Sequence, residues 1–122
     1  MIKTDKAPVP IGPYSQAVWA GNLLFISGQI ALNPTSNQLM IKNIEEETTQ
    51  VMENINAILI ATNLTFNNIV KTTIFLSDMS LFTVANDIYG KYFTGTFPAR
   101  ETFAVKGLPK NVNIEISVIA HR

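Results

Sequence analysis

The chain has no cysteine, a single histidine and only 15% charged residues. Without cysteine there is no disulfide, no thiol nucleophile and no thiolate metal site. Nine Lys and Arg balance nine Asp and Glu, giving a formal net charge of zero with no basic run. That balance lacks the electrostatic footprint of a dedicated nucleic-acid binder. No apolar stretch reaches membrane-spanning length, and the opening "MIKTDKAPVP" has no apolar leader core. The expectation from these absences is a soluble cytoplasmic protein. Lone His121, beside the C-terminus, reads as a strand-end residue rather than a catalyst.

What is present is apolar. At 47% hydrophobic over 122 residues, the chain can build one domain, 1–122, around a real core. So few charges give thin polar cover, which implies surface buried against other subunits.

The elements follow from pattern. "SQAVWAGNLLFISGQI" reads as a hairpin turning at Gly21-Asn22, with its second strand from Leu23 to Ser27. Asn43 can cap a helix, with Glu46 three residues on to complete a capping box. Ile44, Val51, Met52, Ile55, Ile58 and Leu59 give that helix a core face and leave a Glu-Thr-Asn face for solvent, with Asn63 as the stop. The β-branched run "NIVKTTIFLSD" predicts a strand. Asp78 then caps a second helix with an apolar stripe at Leu81, Phe82, Ala85, Ile88, Tyr89 and Tyr92, ended by "TFPAR". Strands "RETFAV" and "VNIEISVIA" close the chain. The order β-β-α-β-α-β-β implies an α+β fold, one sheet with both helices on one face. The other face also carries apolar side chains, so association of subunits is expected to cover it.

Alternation then places the charges. In "VNIEISVIA", Val112, Ile114, Ile116 and Val118 share the helix-facing side, so Glu115 points away from the helices. In "RETFAV", Phe103 and Val105 take the helix-facing parity, leaving Arg100, Thr102 and Ala104 opposite. If the two strands are neighbours, Arg100 and Glu115 share the face assigned to subunit contact. Two charges on a buried surface are costly unless paired or used. They form either a salt bridge that fixes the interface, or a cleft in which Arg100 grips an anion and Glu115 handles a proton. The octet "PIGPYSQA" (Pro10 to Ala17) adds a proline-stiffened loop that presents Tyr14, either as a packed turn tyrosine or as part of a site.

Four ordered motifs, "PIGPYSQA", "ISGQI", "TFPARETF" and "LPKNVNIEISVIA", together resemble the YjgF family in its Rid subfamily of reactive enamine/imine deaminases. The resemblance spans nearly the whole chain. It implies a chorismate-mutase-like fold with one mixed sheet, a homotrimeric barrel, and clefts between subunits. It implies that Arg100 holds a substrate carboxylate and Glu115 activates water. Tyr14, Ser27 and Gly28 would contact the ligand, and Asn86 would support them. Thr102 stands where many members carry cysteine, and Ser117 replaces a second glutamate on the last strand. The implied substrates are 2-iminobutanoate and 2-iminopropanoate, made by pyridoxal-phosphate dehydratases and hydrolysed to 2-oxo acids and ammonia without metal or cofactor. A non-catalytic carboxylate-binding regulator and an endoribonuclease or translation inhibitor are the alternatives. Neither a nucleic-acid nor a membrane partner is expected.

Overall fold

The computed structural model describes residues 1–122. Strands β1 (Ala17–Ala20) and β2 (Leu23–Gln29) form the expected hairpin. Ala20 pairs with Leu23, and Gly21 makes the tight turn at φ +60°. A side chain would strain that left-handed conformation. β2 runs two residues beyond the expected end. Its register against β5 (Ile114–His121) slips between Ile26 and Gln29, so Ser27 and Gly28 form a β-bulge.

Helix α1 (Ile44–Ala61) starts where Asn43 Oδ1 accepts the Glu46 N–H at 2.7 Å. The capping box is displaced: the Glu46 carboxylate accepts from the Lys42 N–H instead of from the cap's own. At the other end Asn63 adopts φ +61°, and Leu64 N–H donates to the Leu59 carbonyl, closing the helix in a Schellman turn. Val51, Met52, Ile55, Ile58 and Leu59 are buried as the spacing predicts. The Glu-Thr-Asn face, however, is only partly solvated. Glu47, Thr48 and Asn54 are buried too, because the chain after β2 and the start of β5 pack over that edge.

After β3 (Ile69–Leu76), Asp78 accepts the Ser80 N–H at 2.8 Å and caps a short 3-10 turn, which leads into α2 (Phe82–Gly90). Tyr92 lies beyond the helix end and donates to Glu53 of α1. Strand β4 (Ala99–Ala104) precedes β5. The five strands form one mixed sheet in the order β1-β2-β5-β3-β4, and only β3 and β4 are parallel. Both helices pack on one side, against Leu24, Ile26, Ile74, Leu76, Ile114, Ile116 and Val118. This is the expected α+β architecture.

The register overturns one expectation. β4 is not a neighbour of β5, because β3 lies between them. Thr72 pairs with Val118 on one side and with Arg100 on the other, and Ile74 pairs with Ile116 and Thr102. Directly paired residues share a face. Arg100, Thr102 and Ala104 therefore take the helix side. Phe103 faces outward instead, stacked on Phe75 at 6.3 Å, and Phe75 pairs with Glu115. Arg100 and Glu115 thus lie on opposite faces of the sheet. The open face carries Val18, Phe25, Ile119, Phe75 and Phe103, and Val18, Phe25 and Phe103 are exposed.

Candidate functional site

The helix-side charge sits in a built cradle. Phe82, Asn86 and Tyr89 fall on one face of α2 by their spacing of four and three. That face looks onto Arg100. Arg100 Nη1 donates to Asn86 Oδ1 at 2.7 Å, and the guanidinium carbon lies 5.6 Å from the Phe82 ring and 5.2 Å from the Tyr89 ring. Each ring face attracts the cation, by about 0.5–2 kcal/mol depending on exposure. Tyr89 is itself fixed from below, because its hydroxyl donates to the buried Thr72 Oγ1 at 2.9 Å. Burial pushes the Tyr89 phenol up, so it stays a neutral donor at physiological pH.

No acidic side chain pairs with this arginine; the chain's ion pair is Lys71 with Glu101, on the other face. A guanidinium has five N–H donors, and the protein uses one here. Arg100 also lines a cavity of about 400 Å³ together with Asn86, Tyr89, Gly90, Phe97 and Pro98. An immobilised, unpaired guanidinium in a cavity is a receptor for a planar anion, a carboxylate above all.

Glu115 occupies a second cluster. Its carboxylate lies against the bulge, where a Cβ on residue 28 would collide with Oε2. A side chain there would push the Glu115 carboxylate aside. Burial raises the Glu115 carboxyl above the ordinary range, with no cation to oppose it. Beside it a small cavity is lined by Gly28, Gln29, Ile11, Tyr14 and Lys110. Tyr14 is about half exposed at its mouth. The Ser27 hydroxyl donates to the Ser15 carbonyl at 2.6 Å, so it ties the bulge to the tyrosine loop. Buried Gln16 anchors that loop further, donating to the carbonyls of Thr4 and Pro8 and accepting the Thr4 N–H.

The predicted residues therefore fall into two groups within one chain. Arg100 and Asn86 meet directly, with Thr102 two residues along the same face of β4 and its buried hydroxyl unpartnered. Tyr14, Ser27, Gly28 and Glu115 gather at the bulge. Arg100 and Glu115 are separated by an intervening strand, roughly 10 Å across the sheet, and by its two faces. Phe82 and Tyr89 were read from sequence as core stripe. Their spacing about Asn86 was the available signal for a cradle. Gln16 gave no signal, because its partners lie across an irregular loop.

The profile of the family described as endoribonuclease L-PSP matches residues 4–122. The chain is similar to a RutC family protein of Pyrococcus horikoshii, at 47% identity covering 100% of this chain and 97% of the relative. It is also similar to the 2-iminobutanoate/2-iminopropanoate deaminase of Mus musculus, at 47% identity over 98% of this chain and 89% of the relative. Among solved structures, E. coli TdcF with bound serine is 36% identical and matches with a TM-score of 0.95, covering 100% of this chain and 98% of that one.

Proposed function

This chain belongs to the endoribonuclease L-PSP family, the YjgF family of its sequence motifs, and on that footing we propose that it hydrolyses short 2-imino acids to 2-oxo acids and ammonia. The observation that carries the reading is Arg100, held by Asn86 and two aromatic rings yet left without an acidic partner. A 2-iminobutanoate or 2-iminopropanoate carboxylate supplies that partner through two parallel charge-assisted hydrogen bonds. The serine-bound relative supports a ligand of this class, since serine carries the same carboxylate and a nitrogen on the adjacent carbon.

Chemistry on the imine carbon needs a water and a base. Glu115, with its carboxyl raised by burial, is a stronger base than an ordinary carboxylate. It takes a proton from water as the oxygen bonds to the imine carbon. Glu115 returns that proton to the nitrogen, giving a neutral carbinolamine. The hydroxyl proton then passes to the amine through the same carboxylate, and the C–N bond breaks to release ammonia as the C=O bond of the 2-oxo acid forms. Tyr14 and the backbone at Ser27 and Gly28 wall the cleft around it.

Because Arg100 and Glu115 stand on opposite faces of one sheet, the reading requires Arg100 of one copy to meet Glu115 of another. The exposed apolar face beside Glu115 favours such association, and a homotrimer is the expected assembly. The test is ammonia release with a threonine dehydratase as imine source. Arg100→Ala should abolish the acceleration while leaving the assembly folded and of unchanged size; full activity in that variant would end the assignment.

A further inference from the structure

Glu47 is a carboxylate with no solvent and no cation. It lies fully buried in the first turn of α1. Its Oε2 accepts the Asn113 N–H at 2.7 Å and the Ile114 N–H at 3.1 Å, and Oε1 accepts from Asn113 Nδ2 at 2.9 Å. Burying an unpaired carboxylate is costly, and these three donors with the positive end of the helix offset that cost. An apolar residue there would leave the Asn113 and Ile114 N–H groups without an acceptor, so the carboxylate also satisfies that stretch of backbone. What the carboxylate adds is aim, because the two residues it grips come immediately before Glu115.

The neighbours reinforce this. Asn113 is held from its other side by Ser77, whose N–H donates to the Asn113 carbonyl at 2.9 Å and whose hydroxyl donates to Asn113 Oδ1 at 3.0 Å. About two helical turns along α1, Asn54 Nδ2 donates to the carbonyls of Ile30 at 3.0 Å and Leu32 at 2.9 Å, just past the Gly28 bulge. A single helix thus fixes both segments that bracket the Glu115 carboxylate. We propose that Glu47 is a positioning residue: it sets the start of β5 so that the Glu115 carboxylate is held against the Gly28 bulge, ready for water. This deepens the reading of Glu115 as the base and rests on it.

The test uses the full chain in its native assembly. The Glu115 carboxyl is titrated by carbon NMR in the parent, Glu47→Ala and Glu47→Gln, alongside imine hydrolysis in each. Glu47→Gln keeps an oxygen that can accept both backbone N–H groups, and Asn113 can turn its amide to suit. The expected result is that Glu47→Ala lets water reach Glu115 and drops its titration toward the ordinary carboxylate range, whereas Glu47→Gln retains the parent value. In Glu47→Ala kcat should also fall about tenfold or more, with KM changed less than about twofold. In a Glu115→Gln background, Glu47→Ala should cost no further rate. An unchanged Glu115 titration in Glu47→Ala, or an equal loss of rate with and without Glu115, overturns the proposal. Should Glu47→Ala fail to fold, Glu47→Asp, which retracts the carboxylate by one methylene, takes its place in each measurement. Absence of imine hydrolysis by the parent would sink the proposed function, while the titration would still decide the role of Glu47.

Discussion

Two inactive variants should rescue each other. On the proposed reading, Arg100→Ala spoils one half of every site and Glu115→Gln the other. Losing Arg100 removes two charge-assisted hydrogen bonds at about 1.5–3 kcal/mol each, which together correspond to roughly 10²–10⁴ in rate. Losing a general base costs a similar factor, about 10²–10⁴. Each variant alone should therefore sit near or below about one per cent of parent activity. Arg100 and its cradle lie on the helix side of β4, and Glu115 lies on the opposite face of β5. If each site draws one group from each of two copies, random mixing at equal amounts leaves a site intact with probability one half times one half. Co-refolded mixtures should then recover about a quarter of parent activity, whatever the number of copies in a closed ring. The assay is ammonia release, with differently tagged subunits co-purified to prove that mixing occurred. Mixed assemblies that stay at the level of the separate variants would refute the composite site, because a site within one chain is never restored by mixing.

Other substitutions probe the two halves separately. Gly28→Ala places a methyl group where the Glu115 carboxylate lies, so kcat should fall by about 10- to 100-fold while the melting temperature hardly changes. Tyr89→Phe keeps the ring beneath Arg100 but strands the buried Thr72 hydroxyl, so stability should drop by about 1–2 kcal/mol, some 4–8 °C, with kcat/KM little altered. Glu115 also makes a signed prediction for stability. Its carboxyl is raised in the folded state by burial, so the folded protein binds its proton more tightly than the unfolded chain. Its ionisation therefore costs stability as pH rises through the window above the ordinary carboxylate value. Glu115→Gln should melt higher than the parent at pH 7 and equal it in acid, as read by thermal scans across pH; a variant that melts lower at pH 7 would contradict the assignment of burial as the cause.

The legibility of the sequence varied with the contrast between the two faces of each element. β5 is a central strand with helices on one side, and Ile114, Ile116 and Val118 are buried while Glu115 and Ser117 are not, so alternation placed Glu115 correctly. β4 is an edge strand in which no residue is fully buried, so apolar parity carried no such signal. Phe103 was therefore read as core-facing when it stacks on Phe75 across the open face, and Arg100 went to the wrong side with it. The strand order that inserts β3 between β4 and β5 is a tertiary fact that no local pattern encodes. Glu47 failed differently. In the run Glu45-Glu46-Glu47 it looks like one more solvated acid, and only the approach of Asn113, 66 residues later, makes it a buried anchor. Arg100 is exposed in its cavity with no acidic partner, and half-buried Glu115 has no cation to offset its desolvation. A cleft shared between copies removes both difficulties at once, because the substrate carboxylate answers the first and the water, losing its proton, answers the second.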